Sequence, residues 1–221
     1  MTQGKTIAIV NFKGGVGKST LSSIIQTNIE NSVVFNIDNQ DAEKVNPGNT
    51  INVLNYMNDE NAKIDELYEV VKEQFNTIII DAPGELNHEL VYLLDKIDCY
   101  IVPFLDEQRV INATIDTLKA LFTDGISSKK QNVLLVHNSF TSDDNPNTAS
   151  EIINEVLLDS KITSNIEFKS TIFEYSKAIK TMTKNKKSIS ELKDENFVAY
   201  RIVDNRVQKL MSHINDFLGE K

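Results

Sequence analysis

Residues 13–20 read Lys-Gly-Gly-Val-Gly-Lys-Ser-Thr, a combination that can hold a chain of phosphates. Glycines let the backbone wrap tightly, so the amides of residues 15–18 can converge on a β-phosphate at the start of a helix. Lys18 would bridge the β- and γ-phosphates, Ser19 would bind Mg²⁺, and Thr20 would reach the α-phosphate. The predicted nucleotide-binding residues of this loop are Lys13, Gly14, Gly15, Val16, Gly17, Lys18, Ser19 and Thr20.

A strand pattern precedes this segment and a helix pattern follows it, which is the context that a phosphate-binding loop requires. A glycine-rich turn with a chance Lys-Ser pair is the alternative. The loop opens with Lys13, where the common Gly-x-x-x-x-Gly-Lys-Ser pattern has glycine. At these residues the sequence resembles the ParA/MinD family of deviant Walker ATPases, whose signature is Lys-Gly-Gly-x-Gly-Lys-Ser/Thr.

The resemblance implies a role for Lys13 across a dimer interface. In that family the extra lysine reaches the phosphates of the nucleotide held by the partner subunit, so that ATP joins two protomers. A second cation near a polyphosphate would also stabilise charge as an arginine finger does. Lys13 and Lys18 are therefore predicted catalytic residues, although Lys13 could instead be an ordinary surface lysine.

Two acidic residues follow at the ends of strand patterns. Residues 35–40 read Phe-Asn-Ile-Asp-Asn-Gln, where the family commonly has Asp-x-Asp-Pro-Gln, so Asp38 and Gln40 match while Asn36 and Asn39 depart. Asp38 is predicted to be catalytic, because a carboxylate beside the loop can orient and polarise the attacking water. The neutral Asn36 either removes a contribution to metal coordination or changes only a hydrogen bond.

Asp81 ends the apolar run Ile78-Ile79-Ile80, which is the Walker B form. Such an acid would hold a water of the Mg²⁺ shell whose direct ligand is Ser19. A simple helix cap is the alternative for a strand-end aspartate. The loop that begins at Gly84 and Glu85 could respond to the γ-phosphate.

The base of the nucleotide is predicted from one residue and one missing motif. The chain lacks the Asn-Lys-x-Asp signature of guanine-specific GTPases. Asn138, at the end of a strand pattern, matches the adenine-reading asparagine of the family, although from the sequence alone it could be a turn residue. ATP and Mg²⁺ are thus the expected ligands.

Charge is distributed unevenly along this acidic chain, whose formal net charge is -9. Residues 1–160 carry 11 Lys+Arg against 24 Asp+Glu, whereas residues 161–221 carry 12 against 8. ParA-type partition ATPases bind DNA without sequence specificity through basic residues in their C-terminal part, although a solvated lysine face is the alternative here. The predicted DNA-binding residues are Lys177, Lys180, Lys184, Lys187 and Arg201, which Arg206 and Lys209 could extend.

Strand and helix patterns alternate along the chain, which predicts an α/β fold with a mostly parallel sheet covered by helices on both faces. Residues 1–221 are expected to form one P-loop NTPase domain. The strand patterns cover Thr6–Phe12, Val33–Ile37, Thr77–Asp81, Cys99–Pro103, Asn132–Asn138 and Glu167–Ser170. The helix patterns cover Lys18–Glu30, Asp65–Glu73, His88–Lys96, Val110–Phe122, Ala149–Leu158 and Phe197–Leu218.

These features together predict an ATPase for DNA partition. ATP would close a homodimer, the dimer would bind non-specific DNA, and a centromere-binding or adaptor protein of ParB type would stimulate hydrolysis. With one cysteine and no long uncharged apolar run, a cytoplasmic protein without a transmembrane segment is expected. The resemblance implies association with the nucleoid, and no membrane binding is expected because residues 212–221 have few basic residues for an amphipathic anchor. The first strand pattern begins near residue 1, so no N-terminal helix-turn-helix domain is expected. A MinD-like membrane-associated ATPase and a metabolic enzyme of the dethiobiotin synthetase type are the alternatives.

Overall fold

The computed structural model of the chain describes residues 4–38, 49–56, 63–123, 130–162, 165–174, 176–179 and 197–219. Within them lies one sheet of seven parallel strands in the order β3-β2-β4-β1-β5-β6-β7. The strands are β1 Lys5–Ile9, β2 Ser32–Asn36, β3 Thr50–Asn52, β4 Thr77–Asp81, β5 Cys99–Phe104, β6 Gln131–Phe140 and β7 Ile166–Glu174.

Seven α-helices have both ends within the described part of the chain and lie between or after these strands, and residues 177–179 are also helical. The seven helices are α1 Lys18–Gln26, α2 Val53–Tyr56, α3 Ile64–Gln74, α4 His88–Leu93, α5 Gln108–Phe122, α6 Thr148–Leu157 and α7 Phe197–Leu218. A 3₁₀ turn, Leu94–Lys96, continues α4. None of these helices is both long enough and apolar enough to cross a membrane.

The sheet is buried on both faces, which explains its continuous Ile and Val runs. Apolar residues of α1 and α7, such as Leu21 and Val207, form one core with alternate residues of the central strands. Residues of α3 to α6, such as Tyr68 and Leu118, form the second core on the opposite face. The predicted α/β class with helices on both faces is confirmed.

Several element boundaries differ from the sequence prediction. Strand β1 ends at Ile9 and not at Phe12, and β3 and α2 were not predicted. Helix α1 ends at Gln26, before Glu30, because neighbouring polar side chains compete for its last carbonyls: Thr27 Oγ1 and Asn28 Nδ2 both donate to the carbonyl of Ile24. Strand β7 runs on to Glu174, four residues beyond the predicted Ser170.

The carboxyl ends of the three central strands meet at one edge of the sheet. Asn36 of β2 lies beside Asp81 of β4, which lies beside Ile9 of β1. The backbone continues this alignment past the strands, since the amide of Ile37 donates to Asp81 and the amide of Ala82 donates to Ile9. This edge is where ligands bind in parallel α/β sheets.

Candidate nucleotide site

The glycine loop leads from β1 into α1 with two residues in the left-handed region. Gly15 has φ 82° and Gly17 has φ 96°, and Gly17 is the N-cap of α1. A Cβ atom at Gly17 would lie 2.2 Å from Nδ2 of Asn138. Glycine at position 17 is therefore required both by the backbone conformation and by the close approach of a neighbouring strand.

Lys18 folds back into its own loop. Its Nζ donates to the carbonyls of Asn11 at 3.0 Å and Lys13 at 3.3 Å, and only 7% of the residue is exposed. Burial lowers the pKa of Lys18, while the negative charges of Asp81 and Asp38 act in the opposite direction. The ammonium therefore lies inside the loop, where the charges of two carboxylates act on it.

Asp81 is the last residue of β4 and is 2% exposed. The hydroxyl of Ser19 donates to its carboxylate, and its Oδ1 has no hydrogen-bond partner among the described residues. Burial raises the pKa of Asp81 from its ordinary value of 3.8 to about 6, although Ser19 and Lys18 lower it. A buried carboxylate oxygen without a partner, next to a serine hydroxyl, fits the oxygen ligands that Mg²⁺ and its waters prefer.

Asp38 follows β2, is half-buried, and raises the pKa of both Lys18 and Asp81 through its negative charge. Its backbone is held by Asn36, whose Nδ2 donates to the Asp38 carbonyl at 3.0 Å and whose Oδ1 accepts from the Asp38 amide at 3.2 Å. The asparagine thus fixes the segment that carries the predicted catalytic acid. Asn39 and Gln40 lie outside the described residues.

Asn138 contacts the loop directly, since its Nδ2 donates to the carbonyl of Val16 at 2.7 Å. The next residue, Ser139, has φ 56° and lies where the pairing of β6 with β7 shifts register, between Asn138 and Phe140. A cavity of about 350 Å³ opens here between the loop and the ends of β6 and β7. Its lining includes Gly15, Gly17, Thr20, Leu105, Asn138 and Phe173. The adenine role of Asn138 stays a prediction.

Sequence reasoning missed three residues that hold the start of the loop. Asn11, Thr114 and Thr117 are each 0% exposed. Asn11 Nδ2 donates to Thr114 Oγ1 at 2.8 Å, and Thr117 Oγ1 accepts from the amide of Phe12 at 2.9 Å. The only signal in the sequence was hydroxyl residues on the buried face of α5.

The predicted DNA-binding residues are only partly described. Lys177 and Arg201 are exposed, while Lys180, Lys184 and Lys187 lie outside the described residues. Arg206, which could have extended the patch, forms an ion pair with Glu174 at 2.7 Å. DNA binding therefore stays a prediction from charge.

Comparison with solved structures finds the same fold in ATPases of two related kinds. A ParA family ATPase from Chlorobium tepidum shares 13% sequence identity over 94% of this chain and 99% of that chain, with a TM-score of 0.66. MinD from Pyrococcus horikoshii with Mg-ADP shares 15% identity over 96% and 98%, with a TM-score of 0.65. pNOB8 ParA bound to nonspecific DNA shares 14% identity over 95% and 99%, with a TM-score of 0.62.

No protein-family model matches the sequence, and no curated protein matches it. At these identities the likeness concerns the fold, which extends over nearly the whole of each chain. The chain therefore has the fold of the ParA/MinD ATPases, as the resemblance of its phosphate-binding loop implied.

Proposed function

We propose that this chain is an ATPase of the ParA/MinD type that acts in DNA partition. The observation that supports the ATPase most directly is the convergence of Lys18, Asp38 and Asp81 at the glycine loop. The negative charge of Asp38 acts on the pKa of both Lys18 and Asp81, and those two residues act on each other. A lysine ammonium and two carboxylates at the carboxyl edge of a parallel sheet are suited to bind and hydrolyse a nucleoside triphosphate with Mg²⁺.

Binding begins with the loop and Lys18. Its ammonium is held by two backbone carbonyls, of Asn11 and Lys13, and turns from them to the β- and γ-phosphates. Gly15 and Gly17 have left-handed backbone conformations and carry no Cβ atom that could obstruct the amides before α1, so phosphate oxygens can approach these amides. Asn138, beside the cavity, is the proposed reader of adenine.

Hydrolysis depends on the two acids. Mg²⁺, when bound, neutralises charge on the phosphates, and Ser19 with Asp81 would hold it, Asp81 through a water. Asp38 orients the attacking water and accepts its proton, with its backbone fixed by Asn36. Lys13 is half-buried at the start of the loop and acts at the phosphates of a second protomer in an ATP-bound homodimer.

DNA binding is assigned to the basic C-terminal part. Residues 161–221 carry 12 Lys+Arg against 8 Asp+Glu in an otherwise acidic chain, and Lys177 and Arg201 are exposed. A neighbouring fold, pNOB8 ParA, is bound to nonspecific DNA. We infer contacts with phosphates and not with bases, nucleoid association in the cytoplasm, and release by a ParB-type centromere-binding or adaptor protein that stimulates hydrolysis.

The test is binding to an arbitrary DNA duplex and to anionic liposomes, without nucleotide, with ADP, and with ATP and Mg²⁺, at two salt concentrations. The proposal expects DNA binding only with ATP, and weaker binding at higher salt because counterions compete for the phosphates. Binding to liposomes in place of DNA would assign the chain to the MinD-like alternative. Binding to neither would reject partition.

Charge variants make the assay specific. Lys177→Glu with Arg201→Glu should weaken DNA binding while ATP hydrolysis persists, because both residues lie outside the phosphate loop. The control is Lys63→Glu with Arg109→Glu, two exposed residues whose described ion pairs are with Glu66 and Glu107, and it makes the same charge change away from the C-terminal part. Equal loss of DNA affinity in the tested variant and in the control would indicate that net charge, and not a binding surface, determines DNA binding.

A further inference from the structure

The segment that carries Lys13 is held by side chains and not by the sheet. Strand β1 ends at Ile9, so the amides of residues 12 and 13 are beyond its ladder. The amide of Phe12 donates to Thr117 Oγ1 at 2.9 Å, and the amide of Lys13 donates to Asn11 Oδ1 at 2.9 Å. Helix α5 therefore supplies contacts that a longer strand would otherwise have made.

Asn11 connects three parts of the molecule although it is completely buried. Its Nδ2 donates to the carbonyl of Pro103 in β5 at 2.9 Å and to Thr114 Oγ1 in α5 at 2.8 Å. Its Oδ1 accepts from Lys13 on the loop. An amide group with these three bonds has one orientation, and that orientation fixes the backbone at Lys13.

The two threonines are each used twice. Thr114 Oγ1 accepts from Asn11 and donates to the carbonyl of Val110 at 2.8 Å. Thr117 Oγ1 accepts from Phe12 and donates to the carbonyl of Ala113 at 2.7 Å. A hydroxyl at a fully buried position of a helix adds a polar atom that needs a hydrogen-bond partner. An apolar side chain would pack there without this cost, so packing alone does not explain the two threonines.

These contacts differ from the bonds made by Lys18. Lys18 Nζ also binds the loop at the carbonyls of Asn11 and Lys13, but it must leave them to reach a phosphate. The bonds from Thr114 and Thr117 use no group that a nucleotide would engage. They can persist when Lys18 has turned away, which is the state in which Lys13 would act.

We propose that Asn11, Thr114 and Thr117 are positioning residues that fix Lys13 to helix α5, so that it can reach the phosphates of a second protomer. This inference rests on the proposed function, because it gives Lys13 its role in an ATP-bound dimer. It adds that dimer formation depends on three side chains that contact no phosphate. Nucleotide binding by one protomer, which depends on Lys18 and the amides of α1, does not depend on them.

The experiment replaces the threonine hydroxyl at constant shape. Thr117→Val removes the acceptor of the partly buried Phe12 amide, whereas Thr117→Ser keeps an acceptor there. Affinity for a fluorescent, non-hydrolysable ATP analogue is measured at low protein concentration, and dimerisation with the same analogue is measured by analytical ultracentrifugation. We expect Thr117→Val to weaken dimerisation about tenfold or more and analogue affinity less than about threefold. Thr117→Ser should behave as wild type.

A double-mutant cycle distinguishes positioning from general damage. In a Lys13→Ala background the valine change should have no further effect on dimerisation, because the residue that it positions is gone. The inference would be overturned by any of three results. These are additive losses of dimerisation in the Lys13→Ala, Thr117→Val double variant, equal losses of analogue affinity and dimerisation in Thr117→Val, and unchanged dimerisation in Thr117→Val. Thr114→Val and Thr114→Ser provide the same test if Thr117→Val does not fold.

The positioning role and the proposed function would be rejected by different results. If wild-type protein dimerises with the analogue and the valine variants do so equally well, the positioning role is wrong and the proposed function stands. If wild-type protein binds the analogue but never dimerises, the proposed function is rejected together with the role of Lys13.

Discussion

Three glycines of the phosphate loop should respond differently to one added methyl group. At Gly14 a Cβ would meet no atom within 4 Å and its φ is not in the left-handed region. At Gly15 the space is equally open but φ is 82°. At Gly17 φ is 96° and the Cβ would lie 2.2 Å from Nδ2 of Asn138. Alanine at position 14 therefore introduces no strain, alanine at position 15 introduces backbone strain alone, and alanine at position 17 introduces backbone strain and a steric clash.

The expected costs follow from these differences. Gly14→Ala should change the free energy of unfolding little, within about 0.5 kcal/mol. Gly15→Ala should cost about 1–2 kcal/mol, the penalty of a left-handed conformation for a residue with a Cβ. Gly17→Ala should cost about 2–3 kcal/mol, because Asn138 must also leave the Val16 carbonyl, a bond whose loss costs about 1 kcal/mol.

Urea unfolding followed by circular dichroism measures these values, with Asn138→Ala as the second mutation of a cycle. Without the Asn138 amide the clash disappears, so Gly17→Ala should cost only about 1–2 kcal/mol in that background. Strict additivity of the two changes, or equal costs at Gly15 and Gly17, would refute the contact between Asn138 and the loop. A large cost at Gly14 would refute the loop conformation.

Three further predictions concern the acids and their neighbour. Asp81→Asn should raise the free energy of unfolding of metal-free protein by about 3 kcal/mol at pH 7.5 and little at pH 4. The pKa of Asp81, raised from 3.8 to about 6, gives stability that is present below pH 3.8 and lost as pH rises through 6, and asparagine does not suffer this loss. Urea unfolding in EDTA measures the difference, and a difference that does not change with pH would contradict the prediction. Asp38→Ala should still bind ATP but hydrolyse it poorly in a phosphate-release assay, and normal turnover would assign catalysis elsewhere. Asn36→Asp should destabilise the protein by about 1–2 kcal/mol at pH 7.5, since a carboxylate cannot donate to the Asp38 carbonyl; equal stability in urea would show that this bond contributes nothing.

The alternation of strands and helices could be predicted because each element carries its own period in a short stretch of sequence. The runs Ile78-Ile79-Ile80 and Val133-Leu134-Leu135 read as strands buried on both faces, and they are. Strand β3 could not be predicted in this way, because Thr50–Asn52 is three residues long with a single aliphatic side chain. Its pairing with β2 depends on a neighbour and not on local pattern.

In the candidate site, too, the contiguous residues could be predicted from the sequence and the long-range contacts could not. The phosphate loop is contiguous, so residues 13–20 were visible together in the sequence. Asn11 and Thr114 are separated by 103 positions, and no local signal joins an asparagine near the end of β1 to a threonine in the middle of a helix. Asn11 was assigned to the strand because the apolar run continues to Phe12, whereas its side chain in fact replaces the ladder there.

The departure at Asn36 has a physical account that the sequence could not supply. Asn36 is 1% exposed and lies beside Asp81 on the adjacent strand, where burial already disfavours the charged form of that acid. A carboxylate at position 36 would add a further negative charge beside Asp81, whose pKa the charge of Asp38 already raises, and would raise that pKa more. The neutral amide avoids that repulsion and uses both its donor and its acceptor on the backbone of Asp38. Asparagine at this position is therefore compatible with an Asp81 that ionises near neutral pH, which is the form that a hydrated Mg²⁺ requires.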